Sequence, residues 1–122
     1  MQTSVLGAID DRSLRAYVVW IPILQDDSPA AAVEARVLVS DPRATHYWDA
    51  DGRLPKLFHS VLQLPAEWPA WDVYLLYPPG VTWRDEAPPP SYWEHQLGTL
   101  PNAPFLSGER FAARVRSMLE QA

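Results

Sequence analysis

The stretch LRAYVVWI, residues 14–21, decides the fold class of this 122-residue chain. Its side chains are nearly all apolar, and β-branched and aromatic types dominate among them. A short apolar run of this kind is typical of a strand covered on both faces, as in a parallel or mixed sheet of an α/β protein. Pro22 ends the run. The stretch therefore predicts an α/β fold.

Helical and extended patterns alternate after this strand. Ser28 and Pro29 open a predicted helix that stops before Pro42, and residues 44–48 form a short predicted strand. The turn 49–52 leads into an amphipathic helix. Its apolar residues are Leu54, Leu57, Phe58, Val61 and Leu62.

The second half of the chain continues the alternation. Residues 72–77, DVYLLY, predict a second buried strand, and residues 78–80 turn it into a hairpin strand at 81–83, with Gly80 at positive φ. Ser107 caps a final helix that runs to about Gln121. Before the first strand, residues 1–9 predict a last helical turn or two. The order predicts a small mixed sheet flanked by helices.

Composition excludes several classes of function. Ten basic and fifteen acidic side chains give a net charge of −5, which disfavours binding to nucleic acid. The sequence has no cysteine, so it has no disulfide, no thiolate nucleophile and no cysteine-ligated metal. No signal peptide and no membrane span is visible, so we expect a cytoplasmic protein that does not bind membranes.

Three segments resemble a group of uncharacterised bacterial thioredoxin-like proteins. They are YVVWIPIL at 17–24, DPRATHYWD at 41–49 and AWDVYLLY at 70–77. Members of the group typically read VYAVWxPML, DPRVTHFWD and AWDxYxLY at those places. The resemblance covers roughly residues 5–83. It implies a single, truncated thioredoxin-like domain over residues 1–122, built as an incomplete thioredoxin-like sandwich.

The chain departs from that family at its redox centre. A thioredoxin-like protein begins with a strand leading into Cys-x-x-Cys at a helix N-terminus, where the thiol is activated. The resemblance implies that this chain starts inside that helix, at about Ser4, so we expect the strand to be absent, and the sequence has neither cysteine. Pro69 is also displaced, two residues upstream of Trp71, so the family's cis-proline contact with substrate is not carried over. We therefore expect no thiol redox activity, no enzymatic role and no cofactor.

Candidate polar sites are weak in this sequence. The turn at 49–52 lacks the spacing of an EF-hand loop, so we interpret it as a turn that starts a helix. His46, His59 and His95 share no metal-ligand spacing, and we predict no metal site. No serine lies in a nucleophile motif, and no glycine-rich phosphate loop is present.

The aromatic residues give the strongest candidate site. Trp48, Trp71, Tyr92 and Trp93 lie in or beside predicted loops, where they can line a groove for a ligand or a partner protein. The other interpretation, which we favour, is that proline-rich loops fold back and pack on them, because large aromatic side chains are usually highly buried. The leading hypothesis is a non-catalytic thioredoxin-like binding or self-associating module. The second hypothesis is an accessory protein that binds a small molecule in an aromatic loop pocket.

The missing strand also predicts an oligomeric state. In a thioredoxin-like sheet, that strand lies between the strands at 14–21 and 72–77. Without it, both strands lose a neighbour that would pair with their backbone groups. Three arrangements can replace it: the two strands close the gap and pair antiparallel, residues 1–9 refill it, or a second chain covers the exposed edge or face. Residues 1–9 look short and helical, which disfavours refilling, and gap closure still uncovers helix faces. A symmetric partner can bury that surface, so we expect a homodimer.

Overall fold

The computed structural model describes residues 5–21, 30, 39–66, 70–83, 87–98, 100 and 103–121. These ranges contain four strands and two helices: β1 (Ala16–Trp20), β2 (Ala44–Trp48), α1 (Arg53–Val61), β3 (Val73–Leu76), β4 (Tyr92–His95) and α2 (Gly108–Gln121). The chain is therefore α/β, as predicted. It divides into two units, Met1–Arg53 and Leu54–Ala122, called here the amino-terminal and carboxy-terminal units.

The amino-terminal unit is built on a parallel pair of strands. β1 pairs with β2 in a register that runs from Ala16 opposite Ala44 to Trp20 opposite Trp48. Both strands were predicted, and β2 has the predicted bounds. The sequence also predicted that both faces of β1 are covered by other elements. This prediction is wrong at Tyr17, whose side chain is 68% exposed. The phenol hydroxyl lets a tyrosine face water, so an unbroken apolar run did not require two covered faces.

A helical turn precedes β1. The amide of Ile9 donates to the carbonyl of Val5 at 2.9 Å, and that of Ala8 donates to the same oxygen at 3.3 Å. Val5, Leu6 and Ile9 are buried, with exposures of 3–6%. The predicted turn is thus confirmed over residues 5–9, while residues 1–4 lie outside the described ranges. The helix predicted to begin at Ser28 also lies outside them, apart from residues 30 and 39–41.

The carboxy-terminal unit places α1 against a sheet of two antiparallel strands. The buried members of this core come from α1, the segment after it and the later loops: Phe58, Leu62, Leu64, Ala70, Ala87 and Leu100. Val73, Leu75 and Tyr77 from the β3 region and Trp93 from β4 pack against it. Alternation along a strand puts the residues between these on the opposite face of the sheet. Tyr74 and Tyr92 lie there, with their rings 6.5 and 6.1 Å from that of Phe111 on α2.

The partner of β3 differs from the predicted one. The hairpin strand predicted at 81–83 is wrong, since those residues form no strand and are exposed. β3 instead pairs with β4, from Val73 opposite His95 to Leu76 opposite Tyr92. Gly80 does take positive φ, at 85°. The described strands therefore form a parallel and an antiparallel pair, where the sequence predicted one mixed sheet.

The last helix begins where its cap predicts. The amide of Arg110 donates to the Ser107 hydroxyl oxygen at 3.2 Å, which satisfies one of the free amides of the first turn. Phe111, Ala112 and Val115 are buried at 2–4% exposure and form the contact stripe. Among the residues that the structure describes, neither helix has the length and apolar character that a membrane crossing needs.

Gln63 gives a test of how α1 ends. Its φ is 55°, and the amides of Gln63 and Leu64 donate to the carbonyls of Ser60 and His59, both at 3.1 Å. This is a Schellman motif, whose left-handed position favours glycine. We expect Gln63→Gly to raise the free energy of unfolding by about 0.5–1 kcal/mol, measured by urea denaturation. Gln63→Ala keeps the Cβ atom and should give no gain. A loss of stability in the glycine variant would contradict this interpretation.

Candidate functional site

The four aromatic residues of the predicted groove lie in two units. Trp48 is the last residue of β2, in the amino-terminal unit, and is half-buried. Trp71, Tyr92 and Trp93 belong to the carboxy-terminal unit, with Trp71 half-buried just before β3. Their grouping in one groove stays a prediction.

Tyr92 and Trp93 face opposite sides of β4. Trp93 packs against the core beside α1, whereas the ring of Tyr92 lies by α2, 4.6 Å below the guanidinium carbon of Arg114. The Tyr92 hydroxyl donates to a carboxylate oxygen of Glu94. These surroundings favour a packing role for both side chains over contact with a ligand.

Glu94 forms a polar hub that the sequence did not indicate. Its side chain is fully buried. One carboxylate oxygen accepts from the Ser107 amide at 2.7 Å, and the other accepts from Arg110 Nε at 3.0 Å and from the Tyr92 hydroxyl. The hub thus joins β4 to the first turn of α2. The two-residue spacing of Tyr92 and Glu94 places them on one face once the segment is known to be a strand, but the sequence YWEH does not have the pattern of a buried strand.

The hub is a stable anion. Burial by itself raises the pKa of Glu94, but hydrogen bonds from Tyr92, Ser107 and Arg110 outweigh burial and lower this pKa below its ordinary value. Burial, and then the hydrogen bond to Glu94, raises the pKa of Tyr92. A carboxylate held by three donors is suited to fixing a helix and poorly suited to moving protons.

Each of the three histidines considered as a metal ligand has a hydrogen-bond partner within the protein. His46 Nδ1 accepts from the Trp20 indole at 3.0 Å, so its proton lies on Nε2, which donates to the Val39 carbonyl at 2.8 Å. His59 Nε2 is 3.0 Å from the Pro65 carbonyl oxygen. His95 is 1% exposed. In the described part of the chain, no three histidine, aspartate or glutamate side chains group as a metal site requires.

The turn at 49–52 is confirmed. The Gly52 amide donates to the Asp49 carbonyl at 3.2 Å, and Gly52 has a φ of 63°, which favours glycine. α1 begins at the next residue. The interpretation as a turn before a helix therefore fits this segment.

Arg43 holds the helical turn at residues 5–9 to the start of β2. Its Nη1 donates to the carbonyls of Ile9 and Asp11 at 2.7 and 3.0 Å, and its Nη2 donates to that of Leu6. The Asp41 carboxylate orients the guanidinium, because it accepts hydrogen bonds from Arg43 Nε and Nη2, both at 2.9 Å. Arg43 and Asp41 belong to the DPR motif at 41–43, to which the sequence assigned no role.

We call Arg43 and Asp41, with the carbonyls that they hold, the Arg43 clamp. The charges of the two side chains stabilise one another. Hydrogen bonds from the side chain and the amide of Arg43 lower the pKa of Asp41 to about 2. Both side chains are largely buried, with exposures of 16% for Arg43 and 13% for Asp41. Since a planar guanidinium can donate to three carbonyls and a carboxylate at once, arginine suits this position and lysine does not.

The parallel strand pair carries an aromatic surface. Register and alternation place Tyr17, Val19, Thr45 and Tyr47 on one face. Tyr17 and Tyr47 are 68% and 50% exposed, and their rings stack with centroids 6.4 Å apart. The opposite face carries the Trp20–His46 pair. We call the first of these the tyrosine face.

No match to this chain was found among protein-family models, curated proteins or solved structures.

Proposed function

We propose that this chain is a non-catalytic, thioredoxin-like module without redox activity, which acts by associating with a second copy of itself. The single domain and the cytoplasmic location expected from the sequence are parts of this proposal. The observation that carries it is the tyrosine face, since parallel strands are usually covered on both faces. Tyrosine is also among the residues enriched at the energetic centres of protein interfaces.

An uncharged surface suits contact between two copies of this chain. Two copies that each carry a net charge of −5 repel one another, so they approach most easily through an uncharged surface. The tyrosine face has that character, because its four residues are Tyr17, Val19, Thr45 and Tyr47. A two-fold axis through it would stack tyrosine on tyrosine, and closed two-fold dimers are the commonest homo-oligomers.

The buried polar groups support a role without catalysis. Three buried or largely buried polar side chains form hydrogen bonds with backbone atoms or side chains of their own unit: Glu94, His95 and Arg43. Each is thereby committed to holding two segments together. Combined with the absence of any cysteine in the sequence, this favours binding over chemistry.

We expect light scattering at micromolar concentration to give twice the 13.8 kDa mass of the chain. Tyr17→Glu/Tyr47→Glu should give a folded monomer, because it places like charges opposite one another across the two-fold axis. Both tyrosines are exposed, so circular dichroism should show an unchanged fold. Trp83→Glu is the matched control: it changes a side chain 45% exposed in the other unit and should leave the dimer intact. A folded wild-type monomer would refute self-association.

A further inference from the structure

Residues 103–106 lie along the outer edge of β4, and most of their bonds lead to one residue. The His95 amide donates to the Pro104 carbonyl at 3.3 Å, and the His95 carbonyl accepts from the Leu106 amide at 2.7 Å. The His95 ring lies 3.1 Å from the Ala103 carbonyl oxygen, through Nε2, and packs edge-on against Phe105. The backbone and the side chain of His95 thus both bind residues 103–106.

The hydrogen bonds of the His95 ring define its tautomer. Its Nδ1 accepts from the Leu97 amide at 3.2 Å, so the proton lies on Nε2 and is donated to Ala103. The ring is 1% exposed and also lies 5.8 Å from that of Trp93. It is therefore anchored on the sheet side and presents its donor to the segment.

The segment itself buries little apolar surface. Phe105 is 55% exposed, and Pro104 is exposed as well. Beyond the bonds to His95, Arg110 Nη2 donates to the Phe105 carbonyl. Segments held by a few partly exposed hydrogen bonds open at lower free energy than a packed core.

The neighbouring helix has attachments of its own. Phe111, Ala112 and Val115 are nearly fully buried, and Glu94 holds the Ser107 amide and Arg110. Residues 103–106 make none of these contacts, although Arg110 also bonds to the Phe105 carbonyl. The helix can therefore remain docked when the segment leaves β4.

We propose that residues 103–106 form a strap that opens from β4 as an independent unit, with His95 as its latch. Opening breaks three hydrogen bonds at His95 and the bond from Arg110 to the Phe105 carbonyl, and it frees the amide and carbonyl of His95 at the edge of the sheet. The β3–β4 ladder and α2 stay in place. The strap is a conformational device of the carboxy-terminal unit and does not depend on the proposed self-association.

Native-state hydrogen exchange on the full chain tests the strap. The Leu106 amide should exchange at least about tenfold faster than the Gln96 and Phe111 amides, which bond to Asp72 and Ser107. Its exchange should respond little to low urea concentrations, because a local opening exposes little surface. Equal rates and equal urea dependence at all three amides would show that the strap opens only with global unfolding, and would overturn the proposal.

Two variants test His95 as the latch. His95→Phe retains a ring but loses the bond to Ala103, and should speed exchange at Leu106 by about tenfold relative to Gln96 and Phe111. His95→Gln places an amide donor near the position of Nε2 and should restore most of the protection. His59→Phe is the control, since that ring bonds to Pro65 instead. Unchanged exchange at Leu106 in a folded His95→Phe protein would contradict the latch.

Discussion

Arg43→Ala is expected to free the helical turn at residues 5–9 and to lower the free energy of unfolding by about 2–3 kcal/mol. The reason is the number of groups that depend on one guanidinium. Three carbonyls, those of Leu6, Ile9 and Asp11, lose a charged donor, and Asp41 loses the two hydrogen bonds from the guanidinium. Urea denaturation measures the loss, and exchange of the Ile9 amide, which donates to Val5, reports release of the turn.

The controls for Arg43 separate geometry from charge. Arg43→Lys keeps the charge but loses the planar fork, and should recover less than half of the stability. Arg53→Ala removes an arginine whose side chain is 79% exposed and 3.4 Å from Asp51, and should change stability by less than about 0.5 kcal/mol. A folded Arg43→Ala protein with wild-type protection at Ile9 would show that the buried apolar side chains alone hold the turn.

The pKa of Asp41 gives an independent readout of the same clamp. Hydrogen bonds from Arg43 lower this pKa to about 2, so the clamp contributes stability above the ordinary aspartate pKa and loses it as pH falls toward 2. In Arg43→Ala the Asp41 pKa should return toward its ordinary value. An NMR titration of the carboxyl carbon follows the change.

Local patterns predicted the elements that depend on nearby residues. The helix at Arg53–Val61 follows from apolar spacing, and the start of the last helix follows from the Ser107 cap, whose bond spans three residues. Strands β1 to β3 follow from short runs of β-branched and aromatic residues. Each of these signals lies within the element it specifies or directly before it.

β4 escaped prediction because its stability comes from distant residues. The sequence YWEH contains a glutamate and a histidine and follows three prolines, so it does not have the pattern of a buried strand. In the structure, Glu94 accepts hydrogen bonds from Ser107 and Arg110, and the His95 ring bonds to the Ala103 carbonyl. Buried polar residues are tolerated when such partners satisfy them, but the sequence does not show which partners come near.

The candidate surfaces were predictable to different degrees. The aromatic residues were singled out by type, yet type did not reveal that Trp93 packs into the core while Tyr17 faces solvent. Which face of a strand is exposed depends on the elements that pack beside it, which are set by tertiary structure. The Arg43 clamp likewise joins residues more than thirty positions apart.

Glu94→Gln is expected to be the most destabilising conservative change in the carboxy-terminal unit, lowering the free energy of unfolding by about 2–3 kcal/mol. The carboxylate accepts from three donors, those of Tyr92, Ser107 and Arg110. A glutamine amide group turns one acceptor into a donor that faces another donor, inside a fully buried site. Urea denaturation measures the loss. Glu109→Gln, on the exposed first turn of α2, should change stability by less than about 0.5 kcal/mol.

The pH dependence of the free energy of unfolding shows whether Glu94→Gln acts by removing the charge of Glu94 or by disturbing its packing. Because the hydrogen bonds lower the pKa of Glu94 in the folded protein, its contribution is complete above the unfolded-state pKa of about 4.3 and is lost as pH falls through the lower folded value. Glutamine has no such titration. The stability difference between wild type and Glu94→Gln should therefore be largest near pH 7 and shrink as the pH falls below about 4. A difference that stays constant from pH 7 to pH 3 would mean that Glu94 acts through its shape and not through its charge.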